Sequence, residues 1–264
     1  MERHIVFQDR KIAYQVSGKG KTIVFLHGFL EDRHIWDAFS QSLSATYQVI
    51  TIDLPGFGQS EILGELHKMS LMASAVNQVL EAENVEHCLL VGHSMGGYVA
   101  IEFAALYAEK LSGLVFFHSH AAADTKEAKT NRYRTIDIVK KNKKQFISSF
   151  IPLLFAENNV QKFKLEIKEL QQRSESITAE SVIASLAGMA LRHDRQPLLE
   201  ELTIPVLFIV GKEDSRIPMD KIVSQLQMPR HSEAIILGDI GHMGFLEAAD
   251  ITCAAIANFA ARIL

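Results

Sequence analysis

The chain has 264 residues, 48% of them hydrophobic, and a formal net charge of −4 at pH 7. That length suffices for one large globular core, and the weak negative charge gives no reason to expect a nucleic acid or an anionic membrane as a partner. The amino terminus lacks an apolar signal sequence and no segment is long enough to span a bilayer, so a cytoplasmic location is expected.

Alternating apolar and helical patterns over the first 120 residues predict an α/β fold. Short apolar runs predict strands over residues 5–7, 12–16, 22–26, 47–52, 87–91 and 114–117. Helical patterns cover residues 36–43, 70–82 and 98–107. Such alternation implies a mainly parallel, twisted sheet with helices on both faces.

Residues 92–97 (GHSMGG) place a serine where a predicted strand turns abruptly into a helix. So tight a turn leaves little room for side chains, which explains glycines at positions 92 and 96. The turn would expose the Ser94 hydroxyl at the carboxyl edge of the sheet, beside a helix N-terminus. A G-x-S-x-G motif also occurs in loops that only cap a helix, but the flanking strand and helix favour a catalytic nucleophile.

The region between residues 122 and 195 has a different pattern. Apolar strand runs are absent, and amphipathic segments over residues 135–146, 160–172 and 178–191 replace them. The basic run at residues 140–144 is short and lies within such a segment, so it is interpreted as a solvated helix face. The pattern predicts a helical insertion between two strands of the sheet.

A serine hydroxyl needs a general base, and the base needs an orienting acid. Apolar runs over residues 205–210 and 234–237 predict two more buried strands, and Asp214 and His242 follow them. Loops that follow parallel strands meet at one edge of the sheet, so both side chains are expected beside Ser94. The order serine, aspartate, histidine is the one that nucleophile-elbow enzymes use.

Some of these assignments have alternatives. Glu213 or Asp239 could supply the acid in place of Asp214, which could be a turn residue. His242 lies between glycine-containing segments, a setting that is hard to explain for a core histidine. It is interpreted as the base.

Candidate substrate contacts lie at the two ends of the insertion. His118 and His120 follow the strand that enters it and could hydrogen-bond a substrate oxygen; one of them could instead face solvent. Arg192, or Arg195, could bind a substrate carboxylate, although pinning the insertion to the core is the favoured interpretation.

Neither a cofactor nor a disulfide is expected. The histidines and cysteines form no cluster with the spacing of a metal site, so no metal is predicted. Cys88 falls in the strand before Ser94 and Cys253 in a carboxyl-terminal helical segment. Both are interpreted as small core residues in a reducing compartment.

These motifs resemble the α/β-hydrolase superfamily, specifically its single-domain serine hydrolases with a helical cap. The resemblance covers nearly the whole chain and rests on residues 25–29 (FLHGF), 53–60 (DLPGFGQS), 92–97, 211–214 (GKED) and 241–242 (GH). It implies a core of residues 1–121 and 196–264, a cap of residues 122–195 over the catalytic edge, and an oxyanion hole from the amides of Phe29 and Met95. It assigns His27 to loop support.

The resemblance implies hydrolysis of a small carboxylic ester, or a related lactone or thioester, through an acyl-enzyme on Ser94. Alternatives with the same triad are a carbon–carbon bond hydrolase, a lyase of the menaquinone-pathway type, or a low-turnover ligand receptor. Serine at this position argues against dehalogenase and epoxide hydrolase chemistry, which uses aspartate there in related proteins. A small-molecule substrate is the only partner expected, and the sequence is silent on oligomeric state.

Overall fold

The computed structural model describes all 264 residues, and one eight-stranded sheet forms its centre. The strands are β1 (Glu2–Phe7), β2 (Arg10–Ser17), β3 (Thr22–Leu26), β4 (Gln48–Ile52), β5 (Cys88–His93), β6 (Leu111–Phe117), β7 (Val206–Gly211) and β8 (Ser232–Leu237). Their order is β1-β2-β4-β3-β5-β6-β7-β8. The β1–β2 and β2–β4 pairs are antiparallel and the others are parallel. The predicted mainly parallel sheet is confirmed.

Ten α-helices cover the sheet and connect its strands. They are α1 (Asp37–Leu43), α2 (Met69–Ala82), α3 (Met95–Leu106), α4 (Lys126–Phe150), α5 (Lys164–Ser176), α6 (Ala179–Ala190), α7 (Gln196–Glu201), α8 (Met219–Val223), α9 (Gly244–Glu247) and α10 (Ala249–Ile263). None combines the length and apolarity needed to cross a bilayer. Because both faces are covered, β3, β5 and β7 are buried along their whole length, which explains their unbroken apolar runs.

The carboxyl ends of the parallel strands bring the candidate site residues to one edge. Phe29 follows β3, Ser94 follows β5, and His118 follows β6. Asp214 and His242 lie on the loops after β7 and β8. This edge is where α/β sheets characteristically bind ligands.

Helices α4 to α7 lie between β6 and β7, and the predicted insertion of residues 122–195 falls in this part of the chain. Helix α4 is longer than the predicted segment over residues 135–146, and non-helical dihedral angles at Asn142 (φ −158°, ψ 81°) kink it. Helix α6 packs along α4. At the end of the insertion, a guanidinium nitrogen of Arg195 lies 2.7 Å from the carboxylate of Glu102 on α3. That ion pair ties the insertion to the helix that follows Ser94.

An aromatic cluster supports the catalytic edge from below. Trp36 is fully buried, with its ring centroid 4.8 Å from that of Phe25, 5.3 Å from Phe39 and 5.4 Å from Phe117. Such pairs contribute about 0.5–1.5 kcal/mol each beyond the burial of their area. Because β3 and β6 both contribute rings, the cluster fixes the strand ends relative to one another.

Candidate active site

The turn around Ser94 has the strained geometry that its glycines suggest. Ser94 has φ 49° and ψ −114°, between the end of β5 and the first residue of α3. A Cβ on Gly92 would lie 2.4 Å from the Gly96 carbonyl oxygen, and one on Gly96 would lie 2.5 Å from the carbonyl of Leu26. A non-glycine residue in such a conformation costs about 1–3 kcal/mol, which the surrounding packing must offset.

Asp214 and His242 form a buried hydrogen-bonded pair. His242 Nδ1 lies 2.8 Å from Asp214 Oδ2, and the backbone amides of Arg216 and Ile217 donate to Oδ1 at 2.8 and 2.9 Å. Burial alone would raise the pKa of Asp214, but the charge of His242 and the hydrogen bonds from His118 and His242 hold that pKa far below its usual range. Asp214 is therefore an anion that orients the imidazole.

The alternative acids lie elsewhere. Glu213 and Asp239 are both exposed, whereas Asp214 is 4% exposed. The carboxylate that contacts His242 is that of Asp214. Of the three candidates, the structure brings only this one to the histidine.

His118 also contacts the acid, which the sequence did not indicate. Its Nδ1 lies 3.0 Å from Asp214 Oδ2, the same oxygen that His242 contacts. Burial lowers the pKa of His118 to about 4, so its ring is neutral and Nδ1 carries the proton donated to Asp214. Its Nε2 is buried without a hydrogen-bond partner, against Gly244, where a Cβ would approach it to 2.3 Å. The predicted substrate contact of His118 is replaced by a contact with the acid.

Asp214, His118 and His242 also satisfy a distance criterion for metal ligands, with their ligand atoms within 4.8 Å of one another. Both Nδ1 atoms, however, lie at hydrogen-bond distance from a single carboxylate oxygen. Two imidazoles that donate protons to one anion account for this geometry, because a nitrogen that carries a proton has no lone pair for a metal.

The structure does not bring His120 and Arg192 to the cavity. His120 packs edge-on against the ring of Tyr98 at 5.3 Å, and its Nδ1 accepts a hydrogen bond from the amide of Ala122. The Arg192 guanidinium lies 4.0 Å from the Tyr98 ring centroid and pairs with Asp124 at 2.6 Å. The ion pair and hydrogen bonds of Arg192 stay within the insertion, so the predicted attachment of the insertion to the core through Arg192 rests on its contact with Tyr98 alone.

A cavity of about 360 Å³ lies between the catalytic edge and the insertion. Ser94 and His242 line it from the core, together with Phe29. Helix α4, α6 and the segment between α4 and α5 supply most of the apolar wall, namely Ala128, Phe146, Phe150, Leu154, Leu186 and Met189. The site is therefore a partly apolar chamber with the serine and the histidine on one wall.

The candidate oxyanion donors differ in how they are held. Met95 is the first residue of α3, so its amide has no partner within the helix and lies at the positive end of the helix dipole. Phe29 lines the cavity, with its ring edge-on to those of Phe57 and Phe150. His27 is buried behind this loop and accepts a hydrogen bond from the Leu54 amide at 3.0 Å, which agrees with a supporting role.

A buried ion pair that sequence reasoning missed joins three segments of the site. Glu31 accepts hydrogen bonds from the Gly28 amide at 2.6 Å and from His93 Nδ1 at 2.8 Å. His93 Nε2 lies 3.0 Å from the backbone carbonyl of His242. Burial would lower the pKa of His93 and raise that of Glu31, but their mutual attraction outweighs burial and shifts both the other way. A protonated His93 therefore links the loop after β3 to the His242 loop.

Comparisons with known proteins agree with this architecture. Residues 21–249 match the family model described as alpha/beta hydrolase fold. The chain therefore belongs to the α/β-hydrolase family. Three predictions are thereby confirmed: that the chain belongs to this superfamily, that it has the α/β-hydrolase fold, and that it is an enzyme of the α/β-hydrolase class.

Three relatives illustrate the range of the family. The pimeloyl-[acyl-carrier protein] methyl ester esterase of Vibrio cholerae is 27% identical over 94% of this chain and 98% of its own length. A 2-hydroxy-6-oxononadienedioate/2-hydroxy-6-oxononatrienedioate hydrolase of Klebsiella pneumoniae is 27% identical over 93% of this chain and 89% of its own. A thermophilic esterase of Thermogutta terrifontis, solved with malate bound, superposes with a TM-score of 0.94 at 30% identity, covering 100% of this chain and 99% of that one.

Proposed function

We propose that this protein is a serine hydrolase that cleaves a small carboxylic ester, or a related lactone or thioester, through an acyl-enzyme on Ser94. The observation that carries the proposal is the Asp214–His242 hydrogen bond of 2.8 Å, with His242 and Ser94 on the wall of one cavity. Relatives named as esterases, at 27% and 30% identity, support the choice of an ester.

In the proposed mechanism, His242 removes the Ser94 proton as the hydroxyl attacks the ester carbonyl. Asp214 holds His242 with Nδ1 protonated, so that Nε2 is free to accept the proton. The amides of Phe29 and Met95 stabilise the oxyanion; losing one such donor typically costs about 10²–10³ in kcat.

The same histidine completes the turnover. His242 returns its proton to the leaving alcohol, and then activates a water that releases the acid from Ser94. Residues 122–195 act as a cap that keeps bulk water from the acyl-enzyme. The apolar wall that this segment contributes would bind the acyl chain.

Carbon–carbon bond hydrolysis is the second candidate, since a relative of similar identity is named for a dienedioate substrate. The arginine that the sequence suggested for a substrate carboxylate, Arg192, is paired with Asp124. Ester hydrolysis is the better supported of the two, because two of the three related proteins described above are named as esterases.

Hydrolysis of p-nitrophenyl esters from acetate to octanoate tests the proposal. We expect Ser94→Ala to lose at least about 10³-fold in kcat, because no other group can take the nucleophile's place. Ser215→Ala is the matched control, since the Ser215 hydroxyl also lies at this cavity but donates to the Leu153 carbonyl at 2.8 Å. Equal activity of Ser94→Ala and the wild type would refute the acyl-enzyme, and tight ligand binding without turnover would favour a receptor.

A further inference from the structure

The catalytic cavity is lined by more cationic than anionic side chains. The chain as a whole has a net charge of −4, yet Arg132, Arg216 and Lys221 all line this cavity. The one acidic residue on its wall is Glu31, and its charge is balanced by His93. The cavity is therefore a local cationic site on an anionic protein.

Two of the three cations are without an anionic partner. Arg132 is paired with Asp124, to which its Nε and Nη2 donate hydrogen bonds and which it shares with Arg192. Neither Arg216 nor Lys221 forms an ion pair. Most of the other arginines in the structure do form one. Their hydrogen-bond donors are free to bind a ligand.

Arg216 is also held close to the catalytic acid. Its backbone amide donates to Asp214 Oδ1, and its guanidinium lies 4.7 Å from the ring centroid of Phe150. This cation–π contact keeps the guanidinium beside the apolar wall without using its in-plane N–H donors. Lys221 lies five residues further on, in α8. An apolar wall that leads to two unpaired cations matches a chain with an anionic end.

We propose that Arg216 and Lys221 bind a carboxylate carried by the acyl part of the substrate, so that the enzyme prefers esters of dicarboxylic acids to neutral esters. The inference rests on the proposed esterase function and specifies its substrate class. A guanidinium matches a carboxylate through two parallel hydrogen bonds, and an ammonium adds a second charge. The same charges raise the local concentration of an anionic substrate, an effect that salt screens.

Matched pairs of substrates test this inference. Mono-p-nitrophenyl esters of dicarboxylic acids, from succinate to suberate, are compared with p-nitrophenyl esters of monocarboxylic acids of equal carbon number. We expect the wild type to have a kcat/KM at least about tenfold higher for the acidic member of at least one pair. This advantage should shrink at 0.5 M NaCl, because the Debye length there is about one eighth of its value in dilute buffer.

The double variant Arg216→Gln/Lys221→Gln should bring the ratio of acidic to neutral ester close to one. The neutral esters report any general effect of the two substitutions on the site, so the loss of kcat/KM on the acidic esters should exceed the loss on the neutral esters by at least about tenfold. Arg230→Gln is the matched control: it removes one positive charge from an exposed residue that does not line the cavity, and should keep the preference.

The possible failures are distinguishable. A wild type that cleaves neutral esters with no preference for the acidic ones, or a preference that persists in the double variant, overturns the carboxylate proposal alone. A wild type that cleaves neither series, or whose cleavage persists in Ser94→Ala, overturns the esterase function and the inference with it.

Discussion

Asp214→Asn should abolish activity through the tautomer of His242. The Arg216 and Ile217 amides both donate to Oδ1, so the asparagine oxygen must occupy that position. The new NH₂ group then takes the place of Oδ2. It faces His242 Nδ1 and His118 Nδ1, which in the wild type both donate hydrogen bonds to Oδ2. Two donors cannot face each other, so both rings must move their proton to Nε2.

The size of the effect follows from this change. With a proton on Nε2, His242 presents a donor to Ser94 and cannot accept the proton of the hydroxyl. In a serine protease, the same substitution lowers kcat by about 10⁴-fold while the geometry remains intact. That loss corresponds to about 5.5 kcal/mol of transition-state stabilisation at 1.36 kcal/mol per tenfold. We therefore expect Asp214→Asn to lose about 10⁴-fold in kcat/KM.

The assay is p-nitrophenyl ester hydrolysis at pH 7.5, with thermal unfolding to verify that each variant folds. Glu213→Gln and Asp239→Asn are the matched controls, because each removes one exposed carboxylate near the site. Both should stay within about threefold of the wild type. If Asp214→Asn kept a tenth of the activity, or if a control variant lost more than Asp214→Asn did, the assignment of the acid and the tautomer argument would both be wrong.

Two further predictions concern histidines. His118→Ala removes one hydrogen bond to Asp214, so the carboxylate should stabilise the His242 imidazolium more strongly and shift the acid limb of the kcat/KM–pH profile to higher pH. His118→Asn should keep the wild-type profile, because the asparagine side-chain amide can donate in place of Nδ1 and asparagine tolerates the φ of 47° at this position. Identical profiles for both variants would leave His118 a packing role only. Burial lowers the pKa of His67 and His118 to about 4 and that of His120 to about 3, so the unfolded chain binds more protons than the folded one as pH falls below about 6.5. Each should lower the free energy of unfolding at pH 5.5 by an amount on the order of 1 kcal/mol. The raised pKa of His93 acts in the opposite direction, but it is one group against three, so urea unfolding should give a lower free energy at pH 5.5 than at pH 7.5. A constant free energy would contradict neutral burial.

Much of the fold and of the candidate site is encoded locally. The steric demands of the turn place glycines at 92 and 96, and the apolar runs before Ser94 and Asp214 show where each strand ends. Because parallel strands end at a common edge, their order alone predicts that Asp214 and His242 meet, and the structure places them 2.8 Å apart.

The partners of the other polar residues could not be read in this way. Glu31 and His93 are 62 residues apart, and neither position has a local pattern that suggests a buried ion pair. Arg192 carries a charge suited to a substrate carboxylate, yet its nearest anion is Asp124, from the opposite end of the insertion. Such pairings depend on how segments that are distant in the sequence pack against one another.

The sequence by itself determined the class of fold, the turn that carries Ser94 and the order of the candidate triad, since each follows from local patterns and from their order along the chain. Only the tertiary structure decided that His118 faces Asp214 rather than the cavity, because a left-handed backbone with φ 47° at the end of β6 directs its ring. The tertiary structure likewise decided which of the cations that line the cavity remain unpaired. Side-chain direction at a strand end, and the supply of counter-ions from distant segments, are properties of the packed chain.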